Sequence, residues 1–367
     1  MGRSSSLAPS AIQSGLYRWL DARLGLAELR AMARKKEVPQ HRHSFWYYWG
    51  GITLFLFLIQ LISGILLLVY YRPGADAYDS VRQITYDIEF GWLIRSAHSW
   101  SANLMVLAAF VHMFSVFFMK AYRNPRELGW WSGLALLGLT MVFGFSGYLL
   151  PMDELAFFAT KVGLEIPASI PGVGAIIVTL VQGGESVTAV TIQRFFALHV
   201  VVLPMVFMAI LAFHLWLVQK HGNAVPPSEE LVPETERRSI PFFPNFLAKD
   251  LAMWLIALNV LAILASMYPW QLGAPADPAA PAPEGIHPEW YFMSQFQALK
   301  VLGNWLPGVT GEFAGIALFG IGGLLWGLIP LFDTSSRAGA RARAATWFGV
   351  IALFGLIALT IWGYAEV

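Results

Sequence analysis

The chain has 367 residues, of which 57% are hydrophobic and 13% are charged. Soluble domains carry about 25% charged residues, so this composition argues against a soluble enzyme and indicates a polytopic membrane protein. The net charge of +1 leaves no nucleic-acid footprint, and the lack of cysteine excludes a disulfide, a Cys-ligated iron–sulfur cluster or a thioether-linked haem within this chain.

A polar, basic stretch at 1–44 comes first, and its apolar spacing over 16–34 predicts a helix lying on the cytoplasmic membrane surface. Seven apolar stretches follow, each near the roughly 20 residues that a bilayer core requires. They lie at 45–71, 100–118, 130–150, 195–218, 251–268, 313–332 and 345–364. We therefore predict an all-α integral membrane protein with seven spans.

Two connections divide these spans. The Gly-rich stretch 153–193 predicts short interfacial helices between the third and fourth spans. The Pro- and charge-rich stretch 222–244 marks a boundary. We predict a four-helix domain at 45–222, a cytoplasmic linker at 223–249 and a three-helix domain at 250–367.

Basic residues set the expected orientation. With a cytoplasmic N-terminus, 18 Lys and Arg lie on the cytoplasmic side and six on the other, which carries 13 Asp and Glu. This asymmetry predicts an N-terminus inside, a C-terminus on the opposite side, and an acidic outer face that could help to dock partners.

Four histidines fall in or beside the second and fourth spans: His98, His112, His199 and His214. The spacings of 14 and 15 residues correspond to about 21–22 Å along a helix, and the two spans run parallel. His98 can therefore face His199, and His112 can face His214, as two bis-histidine haems in a four-helix bundle require. A single such histidine is more often a hydrogen-bonded core residue, but two matched pairs favour ligands.

Glycines repeat at the same interval, because Gly50 and Gly64 are 14 residues apart, as are Gly133 and Gly147. Glycine provides the space that a flat macrocycle needs against a helix. Ordinary glycine-mediated helix packing is the alternative, and the coincidence with the histidine spacing favours haem binding.

Several ordered motifs resemble one known family, the cytochrome b subunits of Rieske/cytochrome b complexes. They are GWLIRSAH at 91–98 followed by His112, PRE at 125–127, GYLLP at 147–151, RFFALH at 194–199, PADP at 275–278 and PEWY at 288–291. The resemblance covers about residues 15–365. The seven spans and the 15-residue histidine spacing are most similar to the chloroplast-type protein fused to its subunit IV.

This resemblance implies a quinol:cytochrome c oxidoreductase that translocates protons. One electron from quinol would pass to a Rieske iron–sulfur protein, and the other would cross two haems to a quinone on the negative side. His98 and His199 would hold the low-potential haem, and His112 and His214 the high-potential haem.

Further residues acquire expected roles within that scheme. Glu289 is expected to accept the quinol proton, with Tyr148 and Tyr291 as hydrogen-bonding walls or, alternatively, interfacial aromatics. Arg95 and Arg194 could pair with haem propionates or simply anchor the interface. The quinone-reduction pocket could be lined by Lys220, His221 and His41.

Two positions depart from the chloroplast-type pattern. Tyr48 stands where that protein has the cysteine that attaches an extra haem, so no covalent haem is expected here. Gln219 stands where a basic residue is expected after the last haem ligand, although Lys220 and His221 follow.

Two other classes of protein compete with this interpretation. A dihaem membrane anchor of another oxidoreductase would lack the long loop with PEWY. A transporter would show inverted repeats and broken helices, which this sequence does not show.

The expected partners are a Rieske protein, a c-type cytochrome, quinone, lipids and a second copy of the chain, without nucleic acid. The expected location is a bacterial inner membrane.

Overall fold

The computed structural model describes residues 15–168, 170, 172–283, 285–306, 309–334 and 340–366. In this part of the chain seven helices are long and apolar enough to cross a membrane, which confirms the predicted all-α membrane fold. The helices are α1 Gly15–Leu24, α2 Leu26–Lys35, α3 Tyr48–Leu68, α4 Ala77–Tyr86, α5 Gly91–Phe118, α6 Glu127–Tyr148, α7 Glu154–Ala168, α8 Gly174–Gln182, α9 Ala189–Ala197, α10 Leu203–His221, α11 Pro227–Glu230, α12 Leu247–Met267, α13 Trp290–Trp305, α14 Val309–Phe332 and α15 Ala340–Ala365.

The spanning helices are α3, α5, α6, the joined α9 and α10, α12, α14 and α15. A π-helical turn at Leu198–Val202 joins α9 to α10. The surface helix predicted at the N-terminus consists of two helices, because Gly25 adopts a left-handed φ of 61° between α1 and α2. Helix α5 begins nine residues before the apolar stretch predicted from 100, and this added part contains buried Arg95, whose guanidinium donates to backbone carbonyls.

Helix α3 packs against α5, α6 packs against α10, and α12 lies against α3 and α5. Helix α13 packs against α14 and α15. An apolar cluster that includes Leu56, Met105 and Phe207 fills the centre of the first four spans. The four-helix unit is thereby held together between its two ends.

One end of the molecule carries the loops rich in basic residues and is called the basic end below. There β1 (Glu37–Gln40) pairs with antiparallel β2 (Arg238–Pro241). The Arg126 guanidinium donates to the His221 carbonyl over 3.0 Å, which joins the loop before α6 to the end of α10. The loops that were predicted to lie on one side of the membrane because of their basic residues therefore contact one another at this end.

The opposite end carries α4, α7, α8 and the loop 268–289, and is called the acidic end. The Tyr78 hydroxyl donates to the Gly273 carbonyl over 2.9 Å. The short helices α7 and α8 confirm the helices predicted between the third and fourth spans. Which end faces the cytoplasm, and where the predicted domains divide, stay predictions.

Candidate functional site

The predicted histidine pairs meet between α5 and the α9–α10 span. The ring centroids of His98 and His199 are 6.5 Å apart, with an angle of 70° between the ring planes. That distance is too long for a direct hydrogen bond between the rings, and a metal ion could be held between them. His112 lies further along α5 and His214 further along α10, both toward the basic end.

Serine side chains orient three of the four imidazoles. The Nδ1 atoms lie 2.9 Å from Ser63 Oγ at His98, 3.0 Å from Ser146 Oγ at His199, and 2.9 Å from Ser132 Oγ at His214. A hydrogen bond at Nδ1 leaves Nε2 to bind a metal, which is the usual arrangement of a ligating histidine. The buried Nδ1 of His112 has no partner among the described residues. This donor set fits haem iron.

Each of the four predicted glycines lies against a different ligand ring. A Cβ atom would stand 3.0 Å from His112 Cε1 if added at Gly50, and 3.4 Å from His98 Cε1 at Gly64. The corresponding distances are 3.3 Å from His214 Cε1 at Gly133 and 2.7 Å from His199 Cε1 at Gly147.

The glycine and histidine spacings therefore coincide because the glycines of α3 lie against the histidines of α5, and those of α6 lie against the histidines of the α9–α10 span. The sequence analysis assigned this space to the haem plane. The structure adds that the space also admits the ligand rings.

Arg95 and Arg194 are found against backbone carbonyls. The guanidinium of Arg95 donates to Trp270 O over 2.8 Å and to Gln271 O over 3.1 Å. Arg194 donates to Thr179 O over 2.8 Å and to Leu180 O over 2.6 Å. Arg95 thus ties the loop after α12 to α5, while pairing with haem propionates stays a prediction.

At the acidic end the structure brings Glu289, Tyr148 and Tyr291 together. Glu289 directly precedes α13, and burial raises the pKa of its carboxyl above the ordinary value, against an opposing effect of His287. The Tyr291 side chain is buried and reaches α6, where a Cβ on Gly144 would stand 2.5 Å from its hydroxyl. Burial and the charge of Glu289 raise the pKa of Tyr291. These groups form a partly buried polar pocket around one carboxyl.

Trp290 fixes this pocket to the four-helix unit. Its Nε1 donates to Asn103 Oδ1 of α5 over 2.8 Å. The PEWY motif therefore places one side chain against α5 and the next against α6. These contacts lie five residues from His98 along α5 and three residues from Gly147 along α6, so the motif is attached near the His98–His199 pair.

At the basic end the predicted quinone-reduction residues are only partly brought together. His41 Nε2 lies 2.6 Å from the Tyr47 hydroxyl, which donates to Ala224 O over 2.6 Å. His41 is thereby linked to the segment just after α10. Burial lowers the pKa of the His41 ring, partly offset by Glu229.

The side chains of the other two predicted residues are not seen to join His41. The Lys220 ammonium lies 5.1 Å from the centre of the Trp216 ring. His221 is held through its carbonyl, which accepts from Arg126. Lining of a pocket by these two side chains stays a prediction.

Asp250 is a candidate that the sequence analysis missed. Its Oδ1 atom is buried without a partner among the described residues. A Cβ on Gly51 of α3 would collide with this carboxylate, so Asp250 sits where two helices touch. A carboxylate inside a spanning helix is a functional candidate, but the predicted span begins at 251 and leaves Asp250 just outside it.

Two family models match the chain: "Cytochrome b/b6/petB" over residues 34–222 and "Cytochrome b(C-terminal)/b6/petD" over residues 275–367. The cytochrome bc complex cytochrome b subunit of Chlorobaculum thiosulfatiphilum is 49% identical over 337 residues, which are 91% of this chain and 77% of that protein. Cytochrome b6 of Synechococcus sp. (strain WH7803) is 41% identical over 217 residues, which are 59% of this chain and 99% of that protein.

Among solved structures, a chain of a "Hyperthermophilic respiratory Complex III" superposes with a TM-score of 0.83 and 31% identity, covering 95% of this chain and 91% of that one. The family models thus match both the N-terminal and the C-terminal part of the sequence, and the solved structure matches the helical fold. The chain belongs to the cytochrome b/b6 family, with the N-terminal and C-terminal parts of that family joined in one polypeptide.

Proposed function

We propose that this cytochrome b oxidises quinol at the acidic end and reduces a quinone at the basic end, as the catalytic subunit of a proton-translocating quinol:cytochrome c oxidoreductase. The observation that supports this best is the conjunction of two histidine pairs at two depths with the partly buried Glu289 pocket beside one of them. When bound between these pairs, two non-covalent b-type haems would supply one-electron transfer from one end to the other.

The spacing of the ligands suits that role. His98 and His112 are 14 residues apart in one continuous helix, which is about 21 Å along its axis. This distance is most of a hydrocarbon core of about 30 Å. His98 and His199, nearest the Glu289 pocket, would hold the low-potential haem. His112 and His214 would hold the high-potential haem.

Glu289 would take a proton from the quinol. Oxidation of quinol to quinone releases two electrons and two protons, so a base must stand at a reacting hydroxyl. A carboxyl whose pKa is raised by burial is better matched to this task near neutral pH than an ordinary one. Tyr148 and Tyr291 would form the hydrogen-bonding walls of the pocket.

At the basic end we place quinone reduction, which consumes protons. Asp250 has one carboxylate oxygen, Oδ1, that is buried without a partner among the described residues, and its carboxyl could deliver a proton there. His41, with Lys220 and His221 as further candidates, would complete the pocket.

The proposal requires partners. One of the two electrons would go to a Rieske iron–sulfur protein and then to a c-type cytochrome, because this chain has no cysteine to hold a cluster. We place a homodimer of the chain in a bacterial inner membrane with the N-terminus in the cytoplasm. The acidic end would then be the outer, positive side.

A redox titration of the purified protein, followed by optical spectroscopy, tests the proposal. We expect two b-type transitions at different potentials and full extraction of haem by acidified acetone. Substituting His98→Ala should remove one transition and His112→Ala the other, while His43→Ala should remove neither. A single transition in the unmodified protein, or covalently retained haem, would refute the two-haem scheme.

A further inference from the structure

A cluster of buried charged groups lies at the basic end, outside the sites described above. The Asp333 carboxylate, 2% exposed, is reached by three donors. Tyr122 Oη donates to Oδ2 over 2.5 Å, Arg123 Nη2 donates to Oδ1 over 2.8 Å, and Lys120 Nζ lies 3.4 Å from Oδ2. The cluster thus combines two cations, Lys120 and Arg123, with one buried anion, Asp333.

The two cations are incompletely satisfied. The Lys120 side chain is 5% exposed, and both its polar contacts, to Asp333 and to Ala342 O, are long at 3.4 Å, against about 2.9 Å for a usual hydrogen bond. Arg123 Nε is buried with no partner among the described residues. Buried charges are ordinarily paired, so this cluster lacks one anion.

A groove of about 1120 Å³ opens beside the two cations. Its walls are mainly apolar and come from α5, α13 and α15. Lys120, Arg123 and Arg343 line it at the basic end, and Trp290 and Tyr291 of the PEWY motif line it toward the acidic end. Its lining on α15 runs from Ala342 to Ile361, which is about 29 Å of helix. The groove therefore extends along a hydrocarbon core of about 30 Å, and its half next to the cations has the length of one leaflet.

We propose that this groove is a binding site for an anionic phospholipid. The phosphate would supply the missing acceptor for Lys120 and Arg123, and the acyl chains would lie along α5 and α15. Basic pockets between spanning helices bind acidic lipid head groups in this way. An apolar spanning helix of a partner subunit would fit less well, because it would leave Lys120 and Arg123 without the added anion.

Lipid retention by the complete purified complex tests the proposal. The complex is equilibrated in vesicles of phosphatidylcholine with equimolar phosphatidylglycerol, released into mild detergent, and its retained lipids are extracted and quantified. We expect phosphatidylglycerol to be enriched over phosphatidylcholine. The substitution Lys120→Met should lower that enrichment about fivefold, the factor expected per basic residue near the head group.

Lys120→Met is chosen because it leaves Arg123 and Asp333 as a balanced pair, so the fold should persist; an unchanged haem spectrum checks this. Lys35→Met makes the same change on exposed α2 at the same end and should retain the normal enrichment. Leu353→Trp narrows the groove about 17 Å along α15 from Ala342, away from the cations, and should lower the total phosphatidylglycerol retained. Equal retention of both lipids by the unmodified complex, an unchanged enrichment in Lys120→Met, or a partner helix crosslinked into the groove would overturn the proposal.

Discussion

Replacing Gly147 by alanine should damage one haem site selectively. The new Cβ would stand 2.7 Å from His199 Cε1, whereas ordinary contact begins near 3.4 Å. The ring must therefore move by about 0.7 Å, the difference between these two distances. A shift of that size along the bond from Nδ1 to Ser146 Oγ, now 3.0 Å, would break this bond.

Losing such an orienting hydrogen bond typically costs 10–100-fold in metal affinity. We expect a similar loss of haem affinity at the His98–His199 site, with the His112–His214 site intact. The assay is the haem-to-protein ratio of the purified variant, together with an optical redox titration, in which one of two transitions should weaken or shift.

Two matched glycines serve as controls. Gly64→Ala brings its Cβ only to 3.4 Å from His98 Cε1, and Gly138→Ala, on the same helix as Gly147, meets no atom within 4 Å. Both variants should keep two normal transitions. If Gly147→Ala also kept them, or if Gly64→Ala were equally damaging, the assignment of these glycines to the ligand rings would be wrong.

Three further predictions concern carboxylates. Glu289→Gln should slow haem reduction by quinol about 10²–10⁴-fold, the usual contribution of a general base, with both haems retained; unchanged turnover would remove Glu289 from the reaction. Because burial raises the pKa of Glu289, the unmodified rate should fall as pH drops through that raised pKa, where the protonated carboxyl accepts nothing, and Glu289→Gln should lose this dependence. Asp250→Asn should slow reoxidation of the haems by quinone while quinol oxidation in the first turnover stays normal; slowing of both would argue for a structural role. Asp333→Asn should lower the free energy of unfolding by about 3–5 kcal/mol, because it leaves Lys120 and Arg123 buried without their anion, and an unaltered thermal unfolding midpoint would contradict this.

The placement of the four histidines could be predicted from the sequence because their signal is periodic. A helix repeats every 3.6 residues, so a spacing of 14 residues places two side chains on one face without knowledge of any partner helix. The PEWY motif likewise could be recognised from four consecutive residues, without knowledge of the fold. His98 and His199 therefore meet as predicted, and Glu289 lies with Tyr148 and Tyr291.

Features that depend on how helices rotate against one another were not predictable in this way. The contact between Gly51 and Asp250 joins residues 199 positions apart, and neither belongs to a repeated pattern. The cluster around Asp333 combines the end of α14 with the loop after α5. From the sequence, both acids looked like ordinary loop residues beside a span.

Two adjacent glycines show what this packing adds to the mechanism. Successive residues of a helix point about 100° apart, so Gly50 and Gly51 face different neighbours. Gly50 faces His112 of α5, and Gly51 faces Asp250 of α12. The backbone of α3 therefore lies between His112, a proposed haem ligand, and the Asp250 carboxyl. Quinone reduction needs an electron and a proton at one place, and these two glycines bring the candidate source of each to within one helix width at the basic end.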